Sequence, residues 1–176
     1  MYRSVALWAL RRNVGFDDAA GLETLAREAE IELLPGNRVS LNGEDVTELI
    51  RTPEVSGSAS KVAAVGAVRL ELVAKQRRIA ERQNVVMEGR DIGTVVFPDA
   101  RVKIFLDADA GERVRRRLGD LPEVNAAALT AQLAERDARD RSREESPLVQ
   151  APDARYLNST GMSPEDVVNE ILRMLP

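Results

Sequence analysis

Apolar positions recur along the chain in two rhythms, helical spacing in some segments and short unbroken runs in others. The opening segment MYRSVALWALRRN carries Val5, Leu7, Trp8 and Leu10 in helical rather than alternating positions, so the chain opens inside a helix with no cap before it. A second helix is predicted from Asp17 to about Glu28, where Phe16, Ala20, Leu22, Leu25 and Ala26 can form one apolar face. In IELLPGNRVSLNGEDVTELI the short apolar runs are broken at Pro35-Gly36-Asn37 and again at Asn42-Gly43. Asn-Gly between such runs signals a hairpin, which predicts a small antiparallel meander of two or three strands. Helical spacing returns from Ser56 to about Gln83, with a break at Gly66 and a basic end at Lys75, Arg77, Arg78 and Arg82. Basic residues suit a helix C-terminus.

The second half alternates strands with helices. NVVMEGRD reads as a buried strand (84 to 88) running into a loop, VKIFLDAD as a second strand (102 to 106) and ARYLNST as a third (155 to 159). The first two are short, β-branched and bounded by turns, as parallel core strands tend to be. Helices are predicted from Gly111 to Leu118 and from Asn125 to about Arg143, joined by the short link Gly119 to Val124. Ser163-Pro164-Glu165-Asp166 opens the last helix as N-cap, N1 proline and acidic first turn. The expected fold class is therefore α/β, with a parallel sheet. The chain contains no internal repeat and no low-complexity tract.

Composition narrows the chemistry. The 176 residues are 44% apolar, enough to build the core of one ordinary domain. Charged residues make up 31% of the chain but leave a net charge of only -4, which does not point to a nucleic-acid coat. With no cysteine and no histidine, disulfides, thiolate nucleophiles, His-based metal sites and imidazole catalysis are excluded. Chemistry falls to carboxylates, guanidinium or ammonium groups, hydroxyls or a bound metal ion. No apolar run approaches the roughly 18 residues of a membrane span, and the N-terminus lacks the order of a signal peptide. The expectation is a cytoplasmic protein with no membrane partner.

Gly89-Arg90-Asp91 sits just past an expected strand end, where open α/β sheets bind ligands. Arginine there can clamp a phosphate in bidentate fashion, and the aspartate can accept from an amino group. In ERDARDRSR, residues 135 to 143, Arg136, Asp140 and Arg143 are spaced four and three apart and share one helix face. A surface loop and a solvated, salt-bridged face are the bland alternatives. ERVRRR, residues 112 to 117, places Arg113 and Arg117 four apart. A nucleic-acid-binding helix is the competing reading there, but no aromatics are interleaved and aromatic content is only 3%.

Together, GRDIGTVVFPDA, the ERDxRDxxR run, SASKVAAxxxVR and the opening MYR resemble the bacterial cytidylate kinase family, in order and approximate spacing along essentially the whole chain. The resemblance implies a P-loop nucleoside monophosphate kinase-like parallel sheet with helices on both faces. It also implies a single domain over 1–176, with a nucleotide-binding region at about 1–83 bearing a small β insert at about 30–50. The core would span about 84–110 and 151–176, and a short lid region about 113–143. The implied substrates are CMP or dCMP and ATP, with Mg2+, on a monomer without nucleic-acid partners. Carried over residue by residue, Ser60, Arg69 and Asp91 would contact cytosine, whose amino group a carboxylate accepts while its ring acceptors suit Arg and Ser. Arg136 and Asp140 would lie at the ribose, and Arg3, Arg90 and Arg143 around the CMP phosphate. Arg113 and Arg117 would serve ATP, one stacking on adenine and one reaching the transferring phosphate. Arg116, Arg117 and Arg143 are the implied catalytic residues, no side chain is an implied direct metal ligand, and Glu88 stands where many relatives carry an acidic residue.

One departure matters. P-loop kinases carry G-x-x-x-x-G-K-[ST], which supplies backbone N–H groups, a lysine and a magnesium-bound hydroxyl. No such motif occurs in the 176 residues. The resemblance implies that the first strand, the P-loop helix and the second strand, roughly 30 or more residues, are absent, through a mis-called start or a truncation. The three expected strands would then flank an empty central slot. The alternative function is a non-catalytic remnant or nucleotide-binding module.

Overall fold

The computed structural model describes residues 1–120, 125–143 and 145–176, leaving aside the side chain of residue 120. It comprises two compact units, Met1–Val86 and Met87–Pro176.

In the first unit, α1 (Tyr2–Arg12), α2 (Ala19–Glu28), α3 (Pro53–Val62) and α4 (Gly66–Ala80) surround one apolar core. Val5, Ala6 and Ala9 of α1 are fully buried, as are Leu22 of α2 and Val68 and Leu72 of α4. Helix α1 packs on α3, and α2 on α4. Asp18, not Asp17, begins the second helix, its carboxylate accepting from the Gly21 N–H. Lys75 of α4 donates to the carbonyls of Arg27 and Ala29 at the end of α2, satisfying acceptors that a helix C-terminus leaves over. Burial pushes the Lys75 ammonium pKa down.

The expected meander forms as β1 (Ile31–Leu34), β2 (Arg38–Leu41) and β3 (Glu44–Asp45), antiparallel in that order. Asn42 and Gly43 both have positive φ, 52° and 83°, the backbone that makes Asn-Gly the favoured two-residue hairpin turn. Next, a single 3-10 turn at Leu49–Arg51 leads into α3, capped by the Thr52 hydroxyl.

In the second unit, β4 (Ile104–Asp107) and β5 (Arg155–Asn158) pair in parallel, with Ile104 opposite Arg155 and Asp107 opposite Asn158. They alternate with α5 (Ala110–Asp120), α6 (Ala126–Ser142) and α7 (Pro164–Arg173). The α/β reading and parallel pairing hold, but the strand expected at 84–88 does not form. Those residues take no regular structure and Val86 is fully exposed. A strand's backbone bonds come from its neighbour, and among the described residues nothing pairs with this segment. The link expected as a short lid falls partly on residues 121–124, outside the described residues. Helix α7 begins as its sequence dictates: Ser163 and Asp166 form a reciprocal capping box. No helix among the described residues is long and apolar enough to cross a membrane.

Candidate functional site

The run GRDIGTVVFP folds into a π-helical turn over Ile92–Val96, a feature the apolar spacing did not reveal. The Asp91 carbonyl accepts from the N–H groups of Thr94, Val95 and Val96 and from the Thr94 hydroxyl, at 2.9–3.3 Å. The Phe97 N–H closes the turn on the Ile92 carbonyl at 2.7 Å. Such wide turns recur at functional sites, where they re-aim side chains. Asp91 itself is buried. At Gly89 a Cβ would lie 2.7 Å from Ile92 Cγ1, so the entry to the turn has no room for a side chain.

Arg90 reaches across 50 residues to α6, where its Nε donates to Asp140 Oδ2 at 3.0 Å. Arg143 Nη1 stands 3.7 Å from Asp140 Oδ1, and Arg136 Nε 3.9 Å from Oδ2. Asp140 is 4% exposed. One buried carboxylate is thus ringed by three guanidiniums. Arg136 and Asp140 lie on one face of α6, while Arg143 is the residue that caps it. Arg143 is held by its own Nε, which donates to the Ser146 carbonyl at 2.6 Å, and the Leu148 N–H returns to the Asp140 carbonyl. The structure brings Arg90, Arg136, Asp140 and Arg143 into a single cluster.

Helix α5 is engaged differently. Arg113 pairs with Asp137 of α6, and Arg117 is half-buried. Arg116 donates Nε to Glu112 at 2.7 Å, Nη1 to the Ser159 hydroxyl at 3.1 Å, and Nη2 to the carbonyls of Ser159 and Met162 at 2.6 and 3.2 Å. It therefore clasps α5 to the loop after β5. Sequence reasoning gave no sign of Ser159, which lies 43 residues away.

Arg115 shares the Glu112 carboxylate. Its hydrogen bond, reinforced by Arg116, holds the Glu112 pKa at about 2 against an ordinary 4.5. A carboxylate depressed on folding adds stability above its unfolded pKa and loses it as pH falls toward the folded value. The stability difference between the protein and its Glu112→Gln variant should be constant above about pH 4.5 and shrink between pH 4.5 and 2. Acid titration of the urea-unfolding midpoint checks this; a difference unchanged through that window would show that Glu112 gains nothing from its arginines.

The remaining predicted residues lie in the first unit. Arg69 is 3% exposed, donates to the Ala63 carbonyl at 3.2 Å and stands 5.6 Å from the centre of the Tyr2 ring. Arg3 donates to the Ile50 carbonyl at 3.3 Å, and the buried Ser60 hydroxyl to the Gly57 carbonyl at 3.1 Å. An open hollow of about 570 Å³ on the meander, lined by Arg38, Thr47 and Arg51 among others, includes none of the predicted residues. Glu88 is exposed. No group of three or more acidic side chains among the described residues could hold a metal ion.

The comparisons with known proteins agree on one family. The family model described as cytidylate kinase matches residues 1–176. A cytidylate kinase of Solibacter usitatus is 56% identical over 99% of this chain and 78% of its own length. One from Carboxydothermus hydrogenoformans is 43% identical over 99% of this chain and 82% of its own length. A bifunctional pantoate ligase/cytidylate kinase of Prochlorococcus marinus is 46% identical over 98% of this chain, which spans only 37% of that longer protein. With the family match over residues 1–176 and relatives at 43–56% identity, the chain belongs to the cytidylate kinase family, phosphotransferases that act on CMP.

Proposed function

We propose that these residues supply the CMP side of an ATP-dependent kinase that converts CMP and dCMP to CDP and dCDP, acting as a cytoplasmic monomer. The observation that carries this reading is the ring of Arg90, Arg136 and Arg143 around buried Asp140. Clustered guanidiniums attract a phosphate dianion and can bind it in bidentate fashion. In this reading Arg90 and Arg143, with Arg3, take the CMP phosphate. Arg136 and Asp140 take the ribose hydroxyls, and Ser60, Arg69 and Asp91 read the cytosine. Asp91 accepts from the exocyclic amino group, where uracil would instead present a second acceptor.

On the ATP side, Arg113 and Arg117 of α5 stack on adenine and meet the transferring phosphate, with Arg116, Arg117 and Arg143 stabilising the charge in transfer. Arg116 would reach a phosphate only by exchanging its bonds to Glu112 and the Ser159 loop. Among the described residues no acidic cluster would hold Mg2+, so in this proposal the ion would come with ATP and supply charge neutralisation at its phosphates. The 176 residues hold no G-x-x-x-x-G-K-[ST]. The same reading therefore makes a polypeptide of these residues alone a CMP binder that does not transfer phosphate.

Calorimetry with CMP and UMP tests the base-reading assignment. Losing Asp91's acceptor leaves the cytosine amino group unmatched, at about 1–3 kcal/mol. Asp91→Ala should therefore lose the preference for CMP over UMP, and an unchanged affinity ratio would remove Asp91 from the base.

A further inference from the structure

We propose that Lys103 is a positioning residue for cytosine selection, bracing the π-helical turn that carries Asp91; the selectivity part of this inference rests on the base-reading role of Asp91 proposed above. Lys103 lies at the start of β4, and its carbonyl accepts from the Arg155 N–H at 2.9 Å, which anchors its backbone in the parallel pair. Its side chain is 7% exposed, an unusual burial for a lysine. The ammonium donates to the Pro98 carbonyl, at the exit of the turn, and pairs with Asp153 at 2.5 Å, just ahead of β5. Its stem passes under the middle of the turn, where a Cβ on Gly93 would come within 3.2 Å of Lys103 Cδ and 3.4 Å of Cγ.

One side chain thus supports the turn at its centre and its exit from a base fixed in the sheet. The turn in turn fixes Asp91, since three of its N–H groups and the Thr94 hydroxyl converge on the Asp91 carbonyl. The roles proposed for phosphoryl transfer do not use Lys103, and its ammonium is held between the turn's exit and Asp153. A base-reading carboxylate must be held within a fraction of an ångström, and supporting groups commonly provide that hold.

Two readouts on the 176-residue chain test it. Lys103→Met keeps the stem against Gly93 and removes the donor; Lys103→Arg restores a donor. Amide exchange should quicken about tenfold in Lys103→Met at Thr94, Val95, Val96 and Phe97 relative to the β4 amides, and the CMP-over-UMP affinity ratio should fall by a similar factor, since misplacement by about 1 Å can cost up to ~100-fold. Lys103→Arg should recover part of both. Should Lys103→Met not fold, Lys103→Gln, which keeps a neutral donor, is measured by the same two readouts and should show the smaller change. Quickened exchange spread equally over β4 would reduce Lys103 to a general structural role and overturn the proposal, as would parent-like exchange and selectivity. A parent chain that binds CMP and UMP alike would instead overturn the base reading itself, with the exchange result still deciding whether Lys103 braces the turn.

Discussion

A polypeptide limited to residues 1–176 should form no ADP from ATP and CMP, and should unfold in two steps, residues 87–176 first. Phosphoryl transfer is mostly positioning and charge stabilisation, and in P-loop kinases a glycine-rich loop, its lysine and a magnesium-bound hydroxyl provide most of it. No segment of the 176 residues has that pattern. The arginines of α5 offer charge but no cradle of backbone N–H groups. The order of unfolding follows from where apolar surface is buried. The contiguous core cluster, from Val5 to Leu72, lies wholly within the first unit. Among the described residues of the second, the buried apolar side chains are Val96, Ala108, Leu129, Ala151 and Leu157. Its sheet has two strands among the described residues, and two-stranded pairs are marginal in water. Meanwhile Val168 and Leu172 of α7, Leu106 of β4 and Tyr156 of β5 remain about half exposed. Thermal unfolding with residue-level exchange, and ADP assays with CMP and Mg-ATP, should be run beside a polypeptide in which a first strand, a P-loop helix and a second strand are placed before Met1. The extended polypeptide should turn over and raise the first midpoint. One cooperative transition together with normal turnover by residues 1–176 would sink both parts of the prediction.

Local signals were legible wherever the structure is decided locally. Asn42-Gly43 announced its hairpin because few residues besides Asn and Gly adopt two consecutive positive φ values readily. Ser163-Pro164-Glu165-Asp166 announced the start of α7 because all the groups of a capping box lie within four residues. The segment at 84–88 has the composition of a strand, but composition supplies no partner, and without one the backbone forms no ladder. The π-helical turn was invisible for a related reason: Ile92, Val95 and Val96 fit helical spacing, and nothing local marks the extra residue. Site residues followed the same division. The spacing of Arg136, Asp140 and Arg143 gave a shared helix face, but Arg90 joins them from 50 residues away and Ser159 meets Arg116 from 43 away. Arg90 reached the candidate set from its place after an expected strand end, family resemblance then setting it at the CMP phosphate, and Lys103 was missed. Its only local signal was a lysine inside the apolar run expected as a strand at 102–106.

Asp140→Ala should destabilise the second unit by about 3 kcal/mol, and inorganic phosphate should restore part of the loss. Removing one partner from a buried ionic group costs ~3–5 kcal/mol, because the partner's charge stays buried without its counter-charge. The low end applies here. Arg90 and Arg136 have side chains 42% and 34% exposed, so they can turn toward water, which screens them. Arg143 is only 8% exposed and is tied through its Nε to the Ser146 carbonyl, so of the three it is least able to turn toward water. Two consequences separate this account from simple loss of packing. First, Asp140→Ala combined with Arg143→Met should be more stable than Asp140→Ala alone, since a buried charge that has lost its carboxylate leaves with its arginine. Second, three arginines without their carboxylate form a stronger anion site, so millimolar phosphate should raise the unfolding midpoint of Asp140→Ala more than that of the parent, by mass action on the folded state. Urea unfolding of the four proteins of the double-mutant cycle, with and without phosphate, decides the matter. Additive losses in the cycle and equal phosphate shifts in parent and variant would mean that Asp140 fills space and does not hold a charge balance.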